Sequence, residues 1–210
     1  MTLVENNSLI KSDSKDLKDN LIEKLKLKFK KKLINKVLLI QSPDSDQTTF
    51  NYEAGKRGRL YNYPPYGLAL IASQLRKINI KVDIINLNHE VLKACRSSND
   101  PKDFDFDKIW KTNLIERIKK FEPDFIGVTS MFSQSHDILV QITNEISSLN
   151  KEIEIGIGGV HVTNSVSDEK TFNKFVNDLI NVDYFFLYES DLSFINFIKI
   201  FNEKVNFSLL

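Results

Sequence analysis

The segment FIGVTSMFSQSHDILVQITNEISSLNKEIEIGIGGVH, residues 125–161, contains the pattern that decides the fold. It begins with a short apolar run at 125–129, continues into a helical pattern at 135–149, and ends in a second apolar run at 153–157. Short runs rich in β-branched and aromatic residues, bounded by turn residues, are typical of strands. A strand, a helix and a second strand in this order predict a β-α-β unit with parallel strands.

Three more apolar runs extend this pattern along the chain. Several runs are apolar on both faces, which is typical of strands covered by helices on both sides. The alternation predicts a doubly wound parallel sheet of five strands, flavodoxin-like or Rossmann-like, with strand order 2-1-3-4-5. The further strands are predicted at 37–41, 82–86 and 184–188, and the other helices at 67–77, 110–121, 170–179 and 192–201.

Two long connections, 42–63 and 88–109, each follow a predicted strand. In open α/β sheets a ligand binds beyond the carboxyl ends of the strands, where the strand order reverses. Connections of this length are uncommon unless they have a function. We therefore expect a ligand at this edge of the sheet.

Residues 1–35 form a lysine-rich arm that differs from the domain we assign to 36–210. Apolar residues recur every four positions in the arm, which predicts a short amphipathic helix. We interpret this helix as packed on the domain, since so short and mixed a pattern is a poor membrane-surface helix. The residues of the repeat are Leu21, Leu25, Phe29 and Leu33.

Composition excludes several classes of protein. The 29 basic and 28 acidic residues give a net charge of +1, so no overall field favours nucleic acid. Cys95 is the single cysteine, which excludes an internal disulfide framework and a cluster held by this chain's own thiolates. No run approaches the roughly 18 apolar residues of a membrane span. We expect a soluble, cytoplasmic protein.

The connection after the first strand is aromatic and basic, and we expect it to contact a flat or phosphate-bearing ligand. Its basic residues are Lys56, Arg57 and Arg59. It ends in Pro64-Pro65 and Gly67, a combination that starts a helix rigidly and also permits close approach to a ligand. Both interpretations of these three residues remain open.

Two small-residue loops follow the third and fourth strands. Ser130 is the candidate contact in the first, whereas Ser133 or Ser135 is expected to cap the next helix. In the second, Gly158 and Gly159 expose backbone to a bulky ligand. This loop is not a dinucleotide fingerprint, because the third glycine of that motif would fall on His161.

The histidines do not form a site by sequence spacing. His89, His136 and His161 form no H-x-x-H pair, so we predict structural roles for them. The acidic stretch 100–107 is interpreted as a solvated loop, and no G-x-S-x-G motif is present.

Together these segments resemble a known family. The succession KVLLIQSP, YPPYGLALIASQLRK, KVDIINLN, PDFIGVTSMFSQSHD, IEIGIGGVHVT and VDYFFLYESD is similar to the N-terminal cobalamin (B12)-binding domain of B12-dependent radical SAM enzymes. The similarity covers about residues 36–201. Its most specific part is a serine loop after strand three paired with Gly-Gly-x-His after strand four, supported by the P-P-x-G-L helix start.

The resemblance implies that cobalamin lies across the carboxyl edge of the sheet. It places Ser130 and Met131 beside the cofactor's tail and lower face, and Gly158 and Gly159 along the tail. The other cofactor-binding residues that it implies are Pro65, Gly67, Phe132 and Glu189.

Three departures from the family bear on function. The D-x-H-x-x-G motif of mutase-type domains is absent, so cobalamin would be bound without a histidine from that motif. Tyr188-Glu189-Ser190-Asp191 stands where the family usually has G-E-G-E, so Tyr188 is expected to crowd the ligand edge. The cysteines of a radical SAM cluster are also absent, so a [4Fe–4S] cluster and S-adenosylmethionine are expected only in a C-terminal domain beyond Leu210.

We therefore expect a cobalamin-binding module, a fragment or N-terminal part of a radical SAM methyltransferase or cyclase, and not a complete enzyme. A radical SAM domain or protein is the expected partner. Two alternatives remain open: a degenerate interaction domain that binds no cofactor, and a flavodoxin-like domain for another phosphate-bearing ligand.

Overall fold

The structure is a computed structural model that describes residues 33–208. The N-terminal helix predicted from Leu21, Leu25 and Phe29 lies outside the described residues. The chain divides into two compact units. The larger, residues 34–197, contains the whole sheet. The second combines 1–33 with 198–210, and its described part is Leu33 and the helical residues 198–208.

The described residues form a five-stranded parallel sheet of order β2-β1-β3-β4-β5. This confirms the predicted fold class and strand order. The predicted strand β5 ends two residues early, because Tyr188 has left-handed backbone and Leu187 lies outside the ladder. The strands are β1 Lys36–Gln41, β2 Lys81–Asn86, β3 Phe125–Thr129, β4 Glu154–Gly158 and β5 Tyr184–Phe186.

Helices occupy most of the connections, including those predicted as long loops. The predicted alternation of one strand with one helix is wrong, because three connections contain two helices each. The helices are α1 Tyr52–Lys56, α2 Tyr66–Lys77, α3 Leu87–Ser97, α4 Phe106–Phe121, α5 His136–Leu149, α6 Val160–Ser167, α7 Glu169–Asp178 and α8 Asp191–Ser208.

Asparagine and aspartate caps fix the starts of two helices, of which the sequence pattern missed the first and placed the second too late. The Asn86 side chain accepts a hydrogen bond of 2.8 Å from the His89 N–H and starts α3 directly after β2. The Asp105 side chain accepts one of 2.9 Å from the Lys108 N–H and starts α4 four residues before the predicted position. The stretch 100–107 is therefore not a simple solvated loop, since one of its carboxylates caps a helix.

The two faces of the sheet are packed differently. Alternate residues of a strand point to opposite faces. On one face the neighbouring Leu38, Ile126 and Ile155 are buried in a continuous apolar core that includes Trp110 and Ile142. Each fully buried side chain of this kind contributes roughly 1.5–3 kcal/mol. The other face contains glycines, and the candidate site lies there. None of the described helices is long and apolar enough to cross a membrane.

Candidate functional site

A cavity of about 1250 Å³ lies on the glycine-bearing face of the sheet, at its carboxyl edge. Its walls come from α2, the loops after β3 and β4, α6, and the segment from β5 into α8. Pockets for drug-sized ligands occupy roughly 300–1,000 Å³, so this cavity accommodates a larger molecule.

Three glycines of β3 and β4 form part of the cavity floor. Gly127 and Gly156 are neighbours in β3 and β4, and Gly158 lies two residues further along the same face. A methyl group at Gly156 would stand 2.6 Å from the Phe125 ring and 2.7 Å from the Phe186 ring. The missing side chain at Gly156 therefore lets these two rings pack against the strands. We call the apolar lining formed by Gly158, Phe186 and Phe194 the slot.

Gly159 forms the turn that joins two loops at this edge. Its φ is 106°, and a Cβ there would lie 2.4 Å from the Ser130 carbonyl oxygen, so only glycine fits. The Ser130 N–H donates to the Gly158 carbonyl at 3.0 Å, and the His161 N–H donates to the Ser130 carbonyl at 3.3 Å. These bonds hold the loop after β3 against the start of α6.

The structure brings together all but one of the predicted cofactor-binding residues. Met131 and Phe132 are about half exposed, so they can contact a ligand. Ser130 lies beneath the surface: it is fully buried, and its hydroxyl oxygen lies 2.9 Å from that of Ser135. The predicted residues that line the cavity are Pro65, Gly67, Met131, Phe132, Gly158, Glu189 and Gly159.

Ser135 precedes α5 but does not cap it with its side chain. Its hydroxyl donates to the Phe132 carbonyl at 2.6 Å instead. The predicted N-cap hydrogen bond is therefore wrong for Ser135, because its hydroxyl and that of Ser130 are used to fold the loop itself, and Ser133 is not the N-cap of α5.

The connection after β1 contributes its aromatic half to the cavity and not its basic half. Tyr63 and Tyr66 are among the lining residues. The Lys56 ammonium donates to the Arg96 carbonyl at 2.8 Å and also to the Ser98 carbonyl, and Arg57 pairs with Glu53. The basic residues of this connection do not line the cavity, contrary to the expectation that they contact a ligand there.

Among the described residues, those that line the cavity include acidic groups and no basic ones. Asp44, Glu189 and Asp191 line it, whereas no lysine, arginine or histidine of the described chain does. Asp44 accepts a 3.0 Å hydrogen bond from the Asn88 side-chain amide, and burial raises the pKa of its carboxyl. This environment favours neutral or cationic ligands with hydrogen-bond donors and disfavours a phosphate dianion.

Two histidines form a hydrogen-bonded chain, although their spacing in the sequence shows no pair. His136 Nε2 lies 3.1 Å from Asp178 Oδ2, and His136 Nδ1 lies 3.2 Å from His161 Nε2. His161 Nδ1 in turn lies 3.3 Å from Ser165 Oγ. Burial, and then the charge of His136, lower the pKa of His161. The contact partners lie 25 and 42 residues apart, so no local spacing in the sequence indicated them.

The histidine chain joins α5, α6 and α7, outside the cavity lining. Within the part of the chain that the structure describes, no group of three histidine, cysteine, aspartate or glutamate residues is arranged to hold a metal ion. The hydrogen-bonded histidines therefore position α6, which supplies Val160, Thr163 and Asn164 to the cavity wall.

A doubly wound parallel sheet with a large, glycine-floored cavity at its carboxyl edge defines a flavodoxin-like α/β ligand-binding domain. Comparison with family models assigns this domain. The model described as "B12 binding domain" matches residues 57–176, more than half of the 210 residues. The chain belongs to the B12-binding domain family, as its resemblance to that family indicated.

The chain is also similar to a methyltransferase and, more remotely, to solved structures. It is 25% identical over 142 residues to cytidylyl-2-hydroxyethylphosphonate methyltransferase from Streptomyces wedmorensis. The aligned region covers 68% of this chain and 25% of that enzyme. The chain thus spans about a quarter of its curated relative.

Two solved structures have related folds. A CheY-like protein, tadZ, from Pseudomonas aeruginosa covers 80% of this chain and 99% of its own length at 9% identity, with a TM-score of 0.44. A protein described as pilus assembly-related from Burkholderia pseudomallei covers 81% of this chain and 91% of its own at 8% identity, with a TM-score of 0.42. At these values neither structure indicates a ligand.

Proposed function

We propose that this chain binds cobalamin in the cavity on the glycine-bearing face of its sheet. The observation that supports the proposal most is the volume of the cavity, about 1250 Å³, which is larger than ordinary cofactor-sized pockets. A cobalamin has both a wide macrocycle and a long nucleotide tail that ends in a flat base. The residues fit such a group, since the cavity is large and its lining is mostly apolar, with a few carboxylates.

The residues of the cavity would act by binding and by excluding water. The slot surface formed with Phe186 and Phe194 is apolar, which suits a flat aromatic base. The carboxylates of Asp44, Glu189 and Asp191 can accept hydrogen bonds from the amide groups around a corrin ring. A bound cobalamin supplies a cobalt centre that can carry an alkyl group.

Charge favours this ligand over the phosphate-bearing alternative. A flavin mononucleotide or a nucleotide carries a phosphate group of nearly two negative charges, and three carboxylates line the cavity without a basic side chain among the described lining residues. The phosphate of cobalamin is a diester with one negative charge, and the corrin side chains are neutral amides.

A role in methyl transfer is a further part of the proposal. It is supported by the similarity to a methyltransferase, of which this chain spans 25%. We propose that the bound cofactor acts with a radical SAM catalytic domain, in the same polypeptide or in a separate one, because these 210 residues contain a single cysteine.

The proposal is tested by blocking the cavity at Gly67. Nothing lies within 4 Å of a Cβ at this position, and Gly67 lines the cavity, so Gly67→Leu adds bulk to the site without a clash in the fold. Titration with hydroxocobalamin, followed by the absorbance spectrum, should show saturable binding to the wild type. Binding to the variant should be at least about tenfold weaker, since overfilling a packed site costs roughly 1–3 kcal/mol.

The matched control is Ser73→Leu, which introduces the same side chain on an exposed position of α2 outside the cavity lining. It should bind hydroxocobalamin as the wild type does. No spectral change with the wild type would refute the proposal and favour an interaction domain. Equal affinity of the wild type and Gly67→Leu would show that the corrinoid binds elsewhere.

A further inference from the structure

Tyr188 has a backbone conformation that a tyrosine rarely adopts. Its φ is 58°, in the left-handed region that favours glycine. Two other residues of the described chain with a side chain share this conformation, Asn79 and Glu122. Both follow a helix, α2 or α4, where a left-handed residue ends the helix through backbone hydrogen bonds. Tyr188 precedes a helix, so helix termination does not explain it.

The fold itself gains little from the Tyr188 ring. The residue is 73% exposed, and its hydroxyl reaches only Ser167 Oγ, at 3.5 Å. Its backbone N–H donates to Thr163 Oγ1 at 2.9 Å, a bond that glycine would make equally well. A glycine would relieve the backbone strain at no loss of a close contact. Strain that packing does not repay is characteristic of functional sites.

The strained position lies at the ligand cavity. Tyr188, Thr163 and Glu189 all line it, and the Tyr188–Thr163 hydrogen bond ties the loop after β5 to α6 at the cavity wall. The large exposed fraction of Tyr188 places its ring at the mouth, whereas Gly127 and Gly156 lie on the floor. An exposed aromatic ring that lines a cavity is available to pack against a flat ligand surface.

We infer that Tyr188 is a ligand-binding residue whose ring packs against the corrin macrocycle of a bound corrinoid. The inference rests on the proposed function and names the part of the ligand that the residue contacts. The macrocycle, the widest part of such a ligand, lies at the exposed mouth with the Tyr188 ring. Tyrosine at this position therefore strengthens corrinoid binding instead of obstructing it, although it stands where glycine is usual.

The test compares Tyr188→Gly and Tyr188→Phe with the wild type in titrations with hydroxocobalamin and with cobinamide, which lacks the nucleotide tail. Tyr188→Gly should bind both ligands about tenfold more weakly, and Tyr188→Phe should bind both within about threefold of the wild type. The melting temperature of ligand-free Tyr188→Gly should equal or exceed that of the wild type, because strain is relieved.

Phe172→Ala is the control for loss of an exposed aromatic ring outside the cavity, and it should not change either affinity. Equal or tighter binding by Tyr188→Gly overturns the inference, as does a loss confined to hydroxocobalamin, which would place the ring on the tail. A lower melting temperature of ligand-free Tyr188→Gly also overturns it, because folding alone would then explain the tyrosine. If the wild type binds neither ligand, the proposed function fails as well.

Discussion

At the scale of single residues, the two adjacent glycines after β4 have different reasons to be glycine. A methyl group on Gly158 would come 3.2 Å from the Phe186 carbonyl oxygen, which a small shift of the chain relieves. A methyl group on Gly159 would come 2.4 Å from the Ser130 carbonyl oxygen and would also require a left-handed backbone. Gly159 is thus needed by the fold, whereas Gly158 contributes open backbone to the cavity.

The contrast between Gly159 and Gly67 gives a prediction about stability. Gly159→Ala should lower the free energy of unfolding by roughly 1–3 kcal/mol, through backbone strain and the contact with Ser130. Gly67→Ala should leave it unchanged or raise it by up to about 1 kcal/mol, because the site is open and alanine favours the helix. Urea unfolding of both variants measures the difference. The same sign for both changes would contradict the assigned conformations.

Residue-level prediction from sequence was good where a residue type has few structural uses. Paired glycines after a strand and the Pro-Pro-x-Gly helix entry indicated the cavity edge, and both line the cavity. Serine has many uses, so the burial of Ser130 and its bond to Ser135 had no signal in the sequence. Gly127 and Gly156 were not predicted to line the cavity, because a single glycine within a strand does not reveal which face of the sheet is open.

At the scale of elements, the strands were predictable and several helices were not. Strand runs are apolar on both faces and stand out from their surroundings. Helix α3 follows β2 with no intervening loop residue, so no turn signal marked its start, although Leu87, Val91 and Cys95 recur every four positions as in a helix. Helix α6 starts immediately after Gly159, so its first turn was interpreted as the end of a glycine loop. Connections without loop residues remove the turn signals on which prediction depends.

The histidine chain between α5, α6 and α7 predicts a dependence of stability on pH. The groups that face His161 are His136, which reaches Asp178, and Ser165 on its own helix. Burial lowers the pKa of His161 in the folded protein, so the unfolded chain binds a proton more readily. The stability that neutral His161 contributes to the fold is therefore fully present above the unfolded pKa of about 6.5 and is lost as the pH falls below that value.

Urea unfolding at pH 7.5 and pH 5 tests this contribution. The wild type should lose more stability over this interval than His161→Gln, which has no titrating group at that position. Ser165→Ala is a useful companion, because it removes the weak hydrogen bond to His161 Nδ1 and leaves both imidazoles in place. An identical loss in the wild type and His161→Gln would assign the pH dependence to other groups.

At the scale of the whole molecule, the fold separates the histidines from the cavity. The chain has three histidines, and none is among the residues that line the cavity. His136 and His161 are paired with each other, and His89 Nδ1 lies 2.9 Å from the Asn62 amide nitrogen. The connection after β1 contains no histidine either. A cobalamin in the cavity would therefore have no imidazole of these histidines beside its cobalt.

This separation predicts the electron paramagnetic resonance spectrum of bound cob(II)alamin. With the nucleotide base in the apolar slot beside Phe186 and Phe194, neither the base nor a histidine nitrogen should coordinate the cobalt. The spectrum should then lack nitrogen superhyperfine splitting, and it should be the same for protein with natural nitrogen and for protein labelled with ¹⁵N. Splitting that changes on ¹⁵N labelling of the protein would identify a histidine ligand and contradict the separation. Splitting that is unaffected by labelling would mean that the cofactor's own base stays on the cobalt, so the slot would have to hold something else.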